Sequence, residues 1–207
     1  MDNMTKINST YPLLLLTLLC CCAVPAISND EIPYRDETNG FSLQHPSVLK
    51  AFASTTGDGI KSHDSKRPVL VLRDPSFRGA DVGDSTPVEM EVLVGQLSDF
   101  PRPAMVDYLD METPVKPKVE AIQLSGTHAT KLIYRNGAPE GGTDVLIITE
   151  LNTKDRMFLI RGKYTLRGCA HEGNGPRADK CKKEVTKEGK ARTQQIEKMI
   201  RSFKLEK

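Results

Sequence analysis

The stretch 119–164 constrains the fold more than any other part of the chain. It reads as an antiparallel meander, a run of strands joined by tight connections. Residues 119–125 lead through Gly126 into 127–135. A polar loop opened by Asn136-Gly137 ends at Gly142. Residues 143–151 follow, then a short turn at 152–155, then 156–164. Side chains alternate with period two, as on a pleated strand. His128, Thr130, Leu132 and Tyr134 share one face, Ala129 and Ile133 the other. Val145, Ile147 and Leu151 oppose Leu146 and Ile148, and Phe158, Ile160 and Tyr164 oppose Met157 and Leu159. The last two strands are thus apolar on both sides, and such a sheet needs cover on both faces.

Helical patterns supply candidates for that cover. Between about 183 and 203, Ile196, Ile200 and Phe203 recur at helical spacing, with Met199 beside them. Gly189 weakens the first part by up to about 1 kcal/mol relative to alanine, so the helix is expected to be firm only from about Lys190. Residues 103–111 fit a second, short helix with proline in its first turn.

Upstream, 32–36 and 41–45 flank Glu37-Thr38-Asn39-Gly40, and Asn-Gly is a strong hairpin signal. Residues 46–52 are expected to form a helical turn packing Leu49 and Phe52. Residues 60–62 begin a strand after a turn at 56–59. Residues 69–73 form a β-branched, apolar strand. In 88–95, Val88, Met90, Val92 and Val94 point one way, Glu89 and Glu91 the other. Between these strands, 74–87 is a long polar loop, which reads first as a surface insertion, with a functional loop as the alternative.

The N-terminus has one basic residue, Lys6, before an apolar run over 13–26. The run is short of the ~20 residues that span a bilayer and suits a signal-peptide core. Val24-Pro25-Ala26 and Ala26-Ile27-Ser28 both fit signal peptidase, so 1–28 read as a cleaved signal peptide and 29–207 as a single domain. The expected location is periplasmic or secreted. A lipid-modified cysteine follows a small residue, whereas Leu19 precedes Cys20. Membrane association is expected only if the chain is lipidated near Cys20, Cys21 or Cys22.

In an exported chain, Cys169 and Cys181, in a polar, Gly-rich loop, read as a disulfide closing about a dozen residues. A metal site using Cys169, His171 and Cys181, with Glu172 or Asp179 nearby, is the alternative. The 29 basic and 27 acidic residues give a net charge of +2, which does not point to nucleic acid. Aromatics make up 5% and Trp is absent, so a base-stacking platform is not expected either.

Gly40-Phe41-Ser42-Leu43-Gln44-His45-Pro46 resembles the opening of PsbP-like proteins, a superfamily that also holds the Mog nuclear-import factors. The 158–162 strand and the helix ending Ile200-Arg201-Ser202-Phe203 resemble that family's close, and the strand and turn running from Gly126 to Gly137 are similar in kind and order. His45 stands where Tyr is usual, and Leu49 where Trp is frequent. The resemblance implies an α+β fold, an antiparallel sheet flanked by helices in an α/β/α sandwich. It also implies accessory or binding work rather than catalysis.

No nucleophile–base–orienter set is visible. His128 has Ser125 and Thr127 beside it but falls within a strand pattern. The carboxylates at Asp74, Asp81, Asp84 and Glu89 lack the spacing of a calcium loop. Lys180, Lys182, Lys183 and Lys187 read as a solvated helix face or a patch for an anionic partner. The chain is therefore expected to be a non-enzymatic, exported accessory or protein-interaction protein, with no cofactor and an envelope or secreted partner. Asp81, Asp84, His128 and His171 are the candidate ligand or partner surface. The alternative is a small-ligand or metal-binding envelope protein.

Overall fold

The computed structural model describes residues 30–53, 68–79, 83–100, 116–138 and 141–206. Within these, the core is a seven-stranded antiparallel sheet in the order β3-β4-β5-β9-β8-β7-β6. Its strands are β3 (Lys50–Ala53), β4 (Leu70–Arg73), β5 (Glu89–Gly95), β6 (Lys118–Leu124), β7 (Thr127–Ala138), β8 (Gly142–Asn152) and β9 (Met157–Leu166). A smaller sheet holds β1 (Glu31–Asp36), β2 (Phe41–Pro46) and β10 (Lys204–Leu205), with β2 central. A single α-helix among the described residues, α1 (Pro176–Ser202), precedes β10.

The meander forms as its alternation requires. β6 and β7 pair Leu124 with Thr127, leaving Ser125-Gly126 as a two-residue turn. Both have positive φ, 52° and 75°, which a type I′ hairpin demands and glycine supplies without steric cost. Ser125 is held there: its Oγ accepts the N–H of Leu205 at 2.9 Å.

The two faces of the large sheet bury different things. The first carries Met90, Val92, Val145, Ile147, Phe158, Ile160 and Tyr164 against Ile196, Met199 and Ile200 of α1 and Phe41 and Leu43 of β2. Phe203 joins all three layers, stacked on Phe41 at 5.3 Å and edge-on to Phe158 at 5.5 Å. Full burial of each such ring contributes roughly 1.5–3 kcal/mol. The helix sits close because two glycines let it. A Cβ on Gly162 would lie 2.5 Å from Ile196 Cγ2, and one on Gly189 2.8 Å from Leu166 Cδ1.

The second face holds an apolar cluster of Leu93, Phe100, Tyr134, Leu146, Ile148, Met157 and Leu159. Strand register extends it sideways into a row running Leu132, Ile148, Arg161, Glu91, Val71, Phe52 across six strands. Arg161 and Glu91 are both 2% exposed there and meet at 2.7 Å. Burying either charge alone would cost several kcal/mol, so the pairing is what makes the row tolerable.

Four expectations need correction. Residues 46–52 form no helical turn: Leu49 is buried, but 50–53 pair with β4 as a strand. Residues 136–138, expected to open a loop, are strand, since β7 pairs with β8 as far as Ala138 and Gly142. The helix is continuous from Pro176, with proline in its first turn and Gly189 at a close contact rather than a weak point. Cys181 lies on this helix, not in a loop. The expected helix at 103–111, the features at 56–62, the signal peptide and Cys20, Cys21 and Cys22 lie outside the described residues. An antiparallel sheet with a C-terminal helix packed on one face is therefore the architecture of the described residues.

Candidate functional site

A cleft of about 870 Å³ opens beside the second face, where β4 ends and β5 begins. Its walls come from segments far apart in sequence. Lys163 of β9 and Glu89 of β5 are register partners and form an ion pair at 3.0 Å. Arg73 ends β4, and its guanidinium lies over the Phe52 ring of β3, 4.6 Å from the centroid. The loop after β4 adds Phe77, which is 40% exposed, and Arg78.

Each lining carboxylate is already engaged. Glu89 faces Lys163. Asp144 accepts the Thr165 hydroxyl at 2.7 Å. Asp74 accepts the Ser76 N–H at 2.8 Å and its hydroxyl at 2.6 Å. Among the described residues neither Arg73 nor Arg78 meets a carboxylate within 4.0 Å, and neither guanidinium donates a hydrogen bond. The far wall is fixed by Thr86, which receives the Thr165 N–H on its hydroxyl at 2.7 Å and donates its own N–H to the Thr165 carbonyl at 3.0 Å.

A second polar centre is structural. Lys131, 8% exposed, projects from the first face of β7 between Glu120 at 2.6 Å and Glu197 of α1 at 2.7 Å. Hydrogen bonds from Lys118 and Lys131 hold the Glu120 carboxyl down at about 2. Burial pushes the Lys131 ammonium down, but its two carboxylate partners outweigh that and leave it raised.

Of the described residues expected to share a surface, His128 lies apart from Asp84 and His171. His128 is exposed beside the β6–β7 turn, its Nδ1 2.8 Å from the Gln123 side-chain nitrogen. Asp84 and His171 are exposed near the other end of the strands, Asp84 next to Ser85 and His171 in a single 3-10 turn at Ala170–Glu172. Asp81 lies outside the described residues. Cys169 and Cys181 are joined, with Cα atoms 6.0 Å apart. Both sulfurs are bonded to each other, so neither is a thiolate free for the alternative metal site. Among the described residues no group of three His, Cys, Asp or Glu could hold a metal ion. Among them also, no helix is long and apolar enough to cross a membrane. The lysines at 180, 182, 183 and 187 are exposed on α1. Sequence reasoning missed the cleft except for the long loop at 74–87, whose first and last residues line it.

No family model matches the chain, and no curated protein matches it. Similar solved structures include cyanobacterial PsbP (CyanoP) from Synechocystis, at 15% identity and a TM-score of 0.47, covering 90% of this chain and 98% of that one. LpqN of Mycobacterium tuberculosis, described as involved in cell envelope biogenesis, is 11% identical with a TM-score of 0.45, covering 86% and 91%. A mutant of protein Mog1 is 13% identical with a TM-score of 0.40, covering 85% and 96%. These neighbours include the PsbP-like and Mog1 folds that the 40–46 and 158–203 segments resemble. They are likenesses of outline, and nothing about ligand or partner is drawn from them.

Proposed function

We propose that the chain is an exported, non-catalytic accessory protein that acts by binding an envelope or secreted partner. The cleft between β3, β4, β5 and β9 carries this reading. It is open, walled by paired strands, and lined by Phe52, Phe77, Arg73 and Arg78, residue types enriched at binding surfaces. Export is supported by the apolar run at 13–26 and by the Cys169–Cys181 bond, because disulfides persist in oxidising compartments. The same reading includes an α/β/α sandwich, since the second-face cluster is apolar and such faces are covered.

The test is cross-linking of the tagged protein in its host, then identification of what co-purifies. A stoichiometric envelope or secreted protein, recovered less well with Phe77→Ser, is the expected result. Recovery in the cytoplasm with reduced cysteines would overturn export. Recovery alone from the envelope would favour a second reading, a small-ligand binder, which the size of the cleft also supports. Its volume falls within the roughly 300–1,000 Å³ of small-molecule sites.

A further inference from the structure

We infer that the cleft takes a small organic monoanion, a carboxylate on an apolar or aromatic body, anchored at Arg73. This rests on the second reading above, that the cleft receives a small ligand.

The inventory of free hydrogen-bond donors carries the inference. The lining offers three cations, Arg73, Arg78 and Lys163, and three carboxylates, Asp74, Glu89 and Asp144. Lys163 and all three carboxylates have partners within the fold. What remains with free hydrogen-bond donors is two guanidinium groups that meet no carboxylate among the described residues, while Asp74 and Asp144 keep their charges but are held by Ser76 and Thr165. Arg73 is half-buried, so part of its hydration is gone, and its guanidinium donates no hydrogen bond to a described residue. A guanidinium with free donors beside an aromatic ring suits a carboxylate, which accepts two parallel N–H bonds.

The rest of the lining narrows the class. Phe52, Phe77 and Pro87 offer apolar surface around the arginines. A charged head alone would leave that surface against water, whereas an apolar body would cover it. The three lining carboxylates disfavour a second negative charge on the ligand, because like charges at close range repel. A dianionic phosphate monoester is thus a poorer fit than a carboxylate.

The test uses the oxidised domain labelled with ¹⁵N, followed by amide shifts at fixed ionic strength. The probes are 4-phenylbutyrate, its neutral amide 4-phenylbutyramide, and phenyl phosphate, each titrated to about 10 mM. The expected result is saturable shifts for 4-phenylbutyrate at residues 73–78, 86–89 and 163–165. The amide and phenyl phosphate should bind about tenfold more weakly or less. Arg73→Gln should weaken 4-phenylbutyrate by about tenfold and leave the amide unaffected. Arg78→Gln, in an exposed loop, serves as the second variant if the first loses its dispersed spectrum, and should weaken the acid severalfold.

Equal binding of acid and amide at the cleft would overturn the anion preference while keeping the cleft as a binding site. Tightest binding by phenyl phosphate would overturn the monoanion class. Shifts elsewhere, or none with any probe, would overturn the inference itself and leave the partner reading to the cross-linking result.

Discussion

At the residue scale, two glycines beneath α1 make contrasting predictions. Gly162 faces Ile196, whose Cγ2, Cγ1 and Cδ1 would all lie within 3.0 Å of an added Cβ. Ile196 is 0% exposed and branched at Cβ, so it has little room to turn away. Gly162→Ala should therefore cost about 1–3 kcal/mol by overpacking. Gly189→Ala meets only the far end of Leu166, and helix propensity returns up to about 1 kcal/mol, so its net change should be near zero. Urea melts of the two variants check the contrast. Lys131 supplies a pH prediction. Glu120 is held at about 2, below its ordinary value of 4.5. Its depressed folded value means that its contribution is complete above about 4.5 and fades as pH falls towards 2. Lys131, raised from 10.5, contributes fully below that value and loses its contribution as pH rises beyond it. Lys131→Met should thus flatten the acid side of the stability profile, measured as urea midpoints from pH 5 down to about 2.

At the element scale, the Cys169–Cys181 bond ties the end of β9 to the first turns of α1. Its sequence separation of 12 makes the chain-entropy contribution about 3 kcal/mol. Replacing both cysteines by serine should lower Tm by roughly 6–12 °C, and calorimetry with and without reductant on the parent protein checks the same figure. This bond was legible because two cysteines in a polar stretch have few other uses in an exported chain. The strands of the meander were legible because Val145 to Leu151 and Phe158 to Tyr164 are short, largely apolar runs bounded by turn residues. Residues 46–52 were not, because Leu49 and Phe52 are three apart and suit a helical turn as well as a strand. Pairing with β4 decides between them, and that is a long-range fact. Gly189 misled for a related reason: its cost is local, whereas its benefit is contact with Leu166 in another element. The cleft was the least visible feature. Phe52, Arg73, Glu89 and Lys163 are brought together only by register across four strands.

At the scale of the whole molecule, the two sheets are joined through one aromatic group. Phe41 belongs to the small sheet, Phe158 to the large one, and Phe203 follows α1 between them. Phe203→Ala should cost about 3–5 kcal/mol and should loosen both sheets together, because all three rings are at most 1% exposed. Hydrogen exchange would reveal it: protection should fall in β2 and β9 by a similar factor. Loss confined to β1 and β2 would show instead that the small sheet is an independently stable appendage.

The pairing of β10 with β2 has a temporal consequence. Register sets Lys204 against Ser42 and Leu205 against Phe41, so the first hairpin acquires its third strand from residues that follow every other described element. Isolated two-stranded hairpins are marginal in water, and contacts between distant residues form slowly. During synthesis, then, the hairpin lacks its third strand and Phe41 lacks the Phe203 ring stacked on it until α1 and β10 have emerged. The small sheet is therefore complete only after the last described strand has been made, although every strand of the large sheet precedes it.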